Sequence, residues 1–120
     1  MAKILIVDDS FTLRSSLTFT LKNDGHTVDE AENGVLAMQK FKTGSDYELV
    51  VTDINMPEMD GLELLANIRK VNRTIPVLVL TTESDKDKIE KAKLLKANGW
   101  IIKPFKNDDL TLVVNKLLNP

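Results

Sequence analysis

At 120 residues, 42% of them hydrophobic, the chain has the length of one domain and enough apolar material for its own core. A formal net charge of −2 argues against nucleic acid or an anionic membrane as the main partner, and the absence of cysteine excludes disulfides and thiolate metal sites. No apolar run approaches a membrane span and the first is too short for a signal peptide, so a cytoplasmic domain is expected.

The run Lys3-Ile4-Leu5-Ile6-Val7 reads as a buried parallel strand and stops at Asp8-Asp9. Ser10 can cap a helix in which Leu13, Leu17 and Leu21 recur at i+4, and Gly25 ends it. His26 follows in a turn, with no cysteine, histidine or paired acid at ligand spacing, and reads as a surface residue. Thr27 to Ala31 is short and acidic, as an edge strand would be. A helix from Gly34 carries Ala37, Met38 and Phe41 on one face, and Gly44 closes it.

Leu49-Val50-Val51-Thr52 is a second buried run, ending abruptly at Asp53-Ile54-Asn55-Met56-Pro57. Pro57 to Gly61 forms a turn, and a helix from about Leu62 turns Leu65 and Ile68 inward. Pro76 to Leu80 is the next strand, ending in Thr81-Thr82-Glu83. A lysine-rich helix over Asp85 to Ala97 has Ile89, Ala92 and Leu95 as apolar positions and is stopped by Asn98-Gly99. Trp100-Ile101-Ile102 is the last strand and runs into Lys103-Pro104. Asn107 or Asp108 can cap a final helix that turns Leu110, Val113, Val114 and Leu117 to the sheet. This alternation specifies one five-stranded, doubly wound α/β domain with a parallel sheet.

In such sheets, ligands collect at the carboxyl ends of the strands. The residues there are Asp8-Asp9, Asp53, Thr81 and Lys103. Each alone has an ordinary explanation: a strand-end aspartate starts a turn, a threonine fits a strand, a lysine is solvated. Together they are harder to dismiss. Two carboxylates roughly 4 Å apart repel by about 4 kcal/mol at an effective dielectric near 20, which calls for a raised pKa or a cation. Hard oxygen ligands suit Mg²⁺, with Mn²⁺ as an alternative. A carboxylate can also be the nucleophile in phosphoryl transfer, with the hydroxyl and the ammonium holding anionic oxygens.

Val7-Asp8-Asp9, Asp53-Ile54-Asn55-Met56-Pro57 with Met59-Asp60-Gly61, Thr81, and Lys103-Pro104-Phe105 resemble the receiver domain of two-component response regulators. The resemblance covers essentially the whole chain. The length, Thr82-Glu83-Ser84 and Gly99 to Phe105 are most similar to the stand-alone chemotaxis regulators of the CheY type. This implies a flavodoxin-like sheet of order 2-1-3-4-5, an order established for CheY itself, and one receiver domain over residues 1–120 with no output domain.

The resemblance also implies roles. Asp53 would be the phosphoacceptor. Asp9, Asp53 and the backbone carbonyl of Asn55 would bind Mg²⁺ directly, with Asp8 acting through water. Thr81 and Lys103 would bind phosphoryl oxygens, and the Lys103-Pro104 peptide would be cis. Asn55 and Glu83 occupy positions that tune dephosphorylation. Thr82, bulkier than the small residue usual there, would narrow access to Asp53. Trp100 stands at the switch aromatic, where Tyr or Phe is commoner. Lys96 replaces a frequent glycine, so the end of its helix would be shaped differently.

Phosphorylation would be read out on the helix from Asp85, the last strand and the last helix, through Lys86, Lys88, Lys91, Lys93 and Trp100, with these lysines steering an acidic segment. The partners implied are a CheA-like histidine kinase and a target such as a flagellar motor switch component, with a monomeric chain. The expected function is a signalling switch that gains and loses its own phosphoryl group, not an enzyme with a separate substrate. A phosphate sink or a non-chemotaxis relay is the alternative within the fold. A haloacid-dehalogenase-like phosphatase would need a second aspartate where Asn55 stands, and a flavodoxin-like flavin carrier would find Asp8-Asp9 in its phosphate loop.

Overall fold

The computed structural model describes residues 1–43, 46–82 and 84–119. Five strands alternate with five helices: β1 Lys3–Val7, α1 Phe11–Asn23, β2 Thr27–Ala31, α2 Gly34–Lys42, β3 Leu49–Asp53, α3 Gly61–Val71, β4 Val77–Thr81, α4 Lys86–Leu94, β5 Gly99–Ile102 and α5 Asn107–Leu118. The strands form one parallel sheet in the order β2-β1-β3-β4-β5, the flavodoxin-like arrangement expected from the sequence.

β3 and β4 are buried at every position, which is why they read as continuous apolar runs rather than alternating ones. Alternation instead sorts their residues between two faces. Leu5, Val7, Val50, Val77 and Val79 pack with α2, α3 and α4 through Ala37, Leu64, Leu65, Ile68 and Ala92. Ile4, Ile6, Leu49, Val51, Leu78 and Leu80 pack with α1 and α5 through Leu17, Leu21, Leu110 and Val114. Both cores meet at the sheet, and the sheet's polar ends lie outside them.

Helix starts follow the side-chain chemistry with two exceptions. Ser10, Asn33 and Asp60 each accept a hydrogen bond from the backbone N–H three residues on. Capping by Asp60 starts α3 at Gly61, one residue before the expected Leu62. α5 has Lys106 at its N-cap and no side-chain cap, and Asn107 and Asp108 lie inside the helix. The acids Asp108 and Asp109 favour the first turn through the helix dipole instead. Asp85 occupies the N-cap of α4 but makes no capping bond.

Two helices end alike. In α1, Gly25 (φ 91°) donates to Lys22 O and His26 to Leu21 O. In α4, Lys96 (φ 71°) donates to Lys93 O and Ala97 to Ala92 O. Both are Schellman turns, in which one left-handed residue satisfies the last carbonyls. α4 thus stops at Leu94, well before the expected Asn98-Gly99, and Lys96 adopts the shape a glycine would give. β5 begins at Gly99 rather than Trp100. The His26 side chain is only 5% exposed, and its Nδ1 accepts from Ala2 N at 3.1 Å, so it closes the start of β1 instead of lying on the surface. The expected stop at Gly44 lies outside the described residues.

Candidate functional site

Parallel pairing in register delivers the polar strand ends to one edge. Val7 pairs with Thr52 and Asp53 with Leu80, so Asp8, Asp53 and Thr81 emerge side by side. Asp8 and Asp53 are buried and Asp9 is exposed, yet their carboxylate oxygens lie within 4.8 Å of one another. Lys103 reaches back from the end of β5 and places Nζ 3.0 Å from Asp53 Oδ2 and 3.9 Å from Asp8 Oδ2. The Lys103-Pro104 peptide is cis.

One ammonium against three carboxylates leaves two negative charges uncompensated. Asp8 carries the strain. Its Oδ1 accepts from Ser10 N at 2.8 Å, but Oδ2 is buried without a hydrogen-bond partner among the described residues. Burial pushes the Asp8 carboxyl above the ordinary carboxylate range, against the Ser10 N–H and Lys103, and the charges of Asp53 and Asp9 push the same way. An orphaned lone pair, hard oxygen donors and two spare negative charges fit a divalent cation.

The backbone around these acids is tightly held. Arg14 Nη1 donates to Asp8 O at 2.8 Å, and its Nε donates to Glu30 at 2.9 Å. Gly61 N donates to Ile54 O at 2.8 Å, and a Cβ on Gly61 would fall on the Asp53 carbonyl oxygen and 2.8 Å from Ile54 Cα. Only glycine lets α3 begin this close to the strand end.

Thr81 is fully buried, and its Oγ1 donates to Asp85 Oδ2 at 3.1 Å, with Thr82 O a longer 3.4 Å away. Thr82 Oγ1 donates to the same Asp85 oxygen at 3.0 Å and pairs with the Ser84 hydroxyl at 2.9 Å. Asn55 N lies 3.4 Å from Asp53 Oδ1, and its side chain turns outward, donating to Asp85 and accepting from Lys88 Nζ.

The family described as the response regulator receiver domain matches residues 4–115. The chain belongs to this family. It is 42% identical over 106 residues to the chemotaxis protein CheY1 of Helicobacter pylori, with 86% of each chain covered. Against the chemotaxis protein CheY-3 of Vibrio cholerae it is also 42% identical, covering 86% of this chain and 81% of the relative. Among solved structures, the Vibrio cholerae chemotaxis protein CheY4 superposes with a TM-score of 0.92 at 34% identity, covering 98% of this chain and 99% of that one. A Thermotoga maritima response regulator, TrrA, solved in complex with Mg²⁺ and BeF, superposes with a TM-score of 0.88 at 37% identity, covering 98% and 100%.

In this receiver, the sequence-derived positions fall into two groups. Asp8, Asp9, Asp53 and Lys103 converge directly, and Thr81, Thr82 and Asn55 line the same edge while facing Asp85. Glu83 lies outside the described residues. Trp100 is 40% exposed on the α4 side of β5, with Lys93 Nζ 4.6 Å from its ring centroid. Lys86, Lys91 and Lys93 are exposed along α4, whereas Lys88 is half-buried and turned to Asn55. Sequence reading missed Asp85 and Gly61 as site residues. The signal for Asp85 was its place four residues after a strand-end threonine, which reads only as a helix start.

Proposed function

We propose that this receiver is a phosphorylation-activated switch whose acceptor is Asp53. The observation that carries the reading is the cluster itself: Asp53 within 4.8 Å of two further carboxylates and 3.0 Å from Lys103, at the mouth of the sheet. In the transfer, an Asp53 oxygen forms a bond to phosphorus as the bond from phosphorus to the donor's histidine nitrogen breaks. The departing imidazole keeps that electron pair. Lys103 and Thr81 are placed to take phosphoryl oxygens, with Lys103 passing from the carboxylate to the phosphoryl group.

Asp8, Asp9, Asp53 and the Asn55 carbonyl would hold the ion, Mg²⁺ by the chemistry of the donors. When bound, it neutralises the carboxylates and draws charge from the phosphoryl oxygens. The orphaned Asp8 oxygen supports this assignment. Asn55 and Glu83 are proposed to set the lifetime of the phosphoryl group, and Thr82 to limit access to it.

The resemblance to CheY proteins supports a role in chemotaxis, with a histidine kinase as donor and a motor component as target. The proposed output face joins α4, β5 and α5 through Trp100, Lys86, Lys91 and Lys93. No helix among the described residues is long and apolar enough to cross a membrane, in keeping with action in the cytoplasm.

The reading is tested with acetyl phosphate, with and without Mg²⁺, followed by acid quench and intact mass. One phosphoryl adduct is expected on the wild type with Mg²⁺. Its appearance without Mg²⁺, or on Asp53→Asn, would show that the acceptor or its ion is wrongly assigned.

A further inference from the structure

One oxygen at the start of α4 carries an unusual load. Asp85 Oδ2 accepts from Thr81 Oγ1 at 3.1 Å, Thr82 Oγ1 at 3.0 Å and Asn55 Nδ2 at 2.9 Å. The donors come from the end of β4 and from the loop after β3, so a single carboxylate joins three segments around the site. An aspartate at an N-cap ordinarily accepts from its own helix, as Ser10, Asn33 and Asp60 show elsewhere in this chain. Asp85 forgoes that bond. Lys88, in the first turn of α4, donates to Asn55 Oδ1, so the Asn55 side-chain amide is held from both ends by the start of one helix. The Thr81 hydroxyl donates to Asp85 and not to Asp53.

We propose that Asp85 is a positioning residue that parks the Thr81 hydroxyl and the Asn55 amide in the resting state, so that Thr81 must leave Asp85 to reach a phosphoryl group on Asp53. Its departure removes one of the ties between the site and the first turn of α4, and the N-cap carboxylate becomes available to its own helix. The phosphoryl site then acts on α4 through the exchange of one hydrogen-bond partner. The parking is a property of the resting protein, and only the exchange rests on the receiver reading of Asp53.

The resting half is measured first, from the three-bond couplings that report the Thr81 χ1 angle by NMR. The wild type is expected to hold one rotamer, Asp85→Ala to average over several, and Asp85→Asn, which keeps an acceptor, to stay close to the wild type. A single unchanged rotamer in Asp85→Ala would overturn the proposal whatever happens at Asp53.

The coupled half is read from the apparent affinity for beryllofluoride with Mg²⁺, a phosphoryl mimic. Removing a restraint that favours the resting state raises the competent fraction, so Asp85→Ala is expected to bind on the order of 5-fold tighter. A residue with a purely structural role would weaken binding instead. A wild type labelled at Asp53 by acetyl phosphate, with unchanged or weaker mimic binding in Asp85→Ala, would overturn the exchange and leave the receiver reading standing. A wild type that takes neither label nor mimic would remove the receiver reading and the exchange, while the Thr81 couplings still decide the parking. Asp85→Gly, which also removes the acceptor and is tolerated at an N-cap, takes the place of Asp85→Ala in both measurements if that variant fails to fold.

Discussion

Strand β1 meets a carboxylate at each end. Before it, Lys3 Nζ lies 2.9 Å from Asp46 Oδ1 and 4.9 Å from the Tyr47 ring centroid, and the Tyr47 hydroxyl donates to Asp29 at 2.6 Å. After it, Asp8 is buried beside two further acids, with one oxygen that has no hydrogen bond among the described residues and only Lys103 at 3.9 Å. The hydrogen bond from Lys3 holds the Asp46 carboxyl below its usual range, while burial drives Asp8 the other way. At the amino end, each of these carboxylates has a partner: Asp46 is exposed and paired with Lys3, and Asp29 accepts from the Tyr47 hydroxyl. Those at the carboxyl end are left two negative charges in excess, an arrangement that persists only because the surrounding fold over-determines it.

Glycine gives the largest expected contrast between the two ends. A methyl group on Gly61 meets backbone of Asp53 and Ile54, which cannot move without displacing the acceptor. At the amino end of β5, a Cβ on Gly99 would meet Leu78 Cδ1 at 3.5 Å and Leu117 Cδ1 at 3.8 Å, both ordinary contacts with side-chain ends. Gly61→Ala should therefore lose about 3 kcal/mol or more in urea unfolding, and Gly99→Ala less than about 1 kcal/mol. Equal losses would mean that the close approach of α3 to β3 is not what fixes the acid edge.

Asp8→Asn should have a smaller effect of opposite sign. The amide oxygen can keep the bond to Ser10 N while the buried charge is removed, giving a gain of about 1–2 kcal/mol at neutral pH without divalent metal. Asp8 has a folded pKa raised above its unfolded value, so its ionisation opposes folding. That penalty is absent below the unfolded carboxylate pKa, grows as pH rises, and is complete above the folded pKa. The advantage of Asp8→Asn should thus vanish in acid. Saturating Mg²⁺ should reverse the order of the two melting temperatures, because only the wild type keeps the full acid cluster. Melting curves across pH, with and without Mg²⁺, check each part. A destabilised variant at neutral pH without metal would show that Asp8 is satisfied as it stands.

The same division governs what could be read from sequence. The acid edge was legible because β-branched runs stop sharply at Asp8 and Asp53, and a parallel sheet must bring such ends together. The assignment of partners was not. Asp85 has a local role available, as an N-cap, and only the approach of Thr81, Thr82 and Asn55 in the fold decides against it. The end of α4 was hidden in the same way. Lys96 takes a left-handed conformation that costs a non-glycine residue roughly 1–2 kcal/mol, and the lysine itself, standing where a glycine is frequent, pointed to a different shape. Its carbonyl accepts from Arg69 Nη2 at 2.8 Å, and the same guanidinium donates to Ile75 O and Asn98 Oδ1 at 2.8 and 2.9 Å. An arginine from α3 thus ties down the turn. His26 was misplaced because its partner, Ala2 N, lies 24 residues away.

The smallest effect should come from the amino end, and its sign carries the argument. The Asp46 side chain is 85% exposed, so its ion pair with Lys3 is screened by water and salt. Its folded pKa lies below the unfolded value, so it contributes stability above the ordinary carboxylate range and loses that contribution as pH falls through the folded value. Asp46→Asn should therefore melt slightly below the wild type at neutral pH and together with it in acid, with the gap closing in high salt. Asp8→Asn diverges from the wild type in the upward direction, over a pH window that begins where that of Asp46→Asn ends. Opposite deflections would establish that this fold spends its paired acids on stability and holds its unpaired ones against it. Deflections of the same sign would mean that Asp8 finds in solution a partner as good as the one Lys3 gives Asp46.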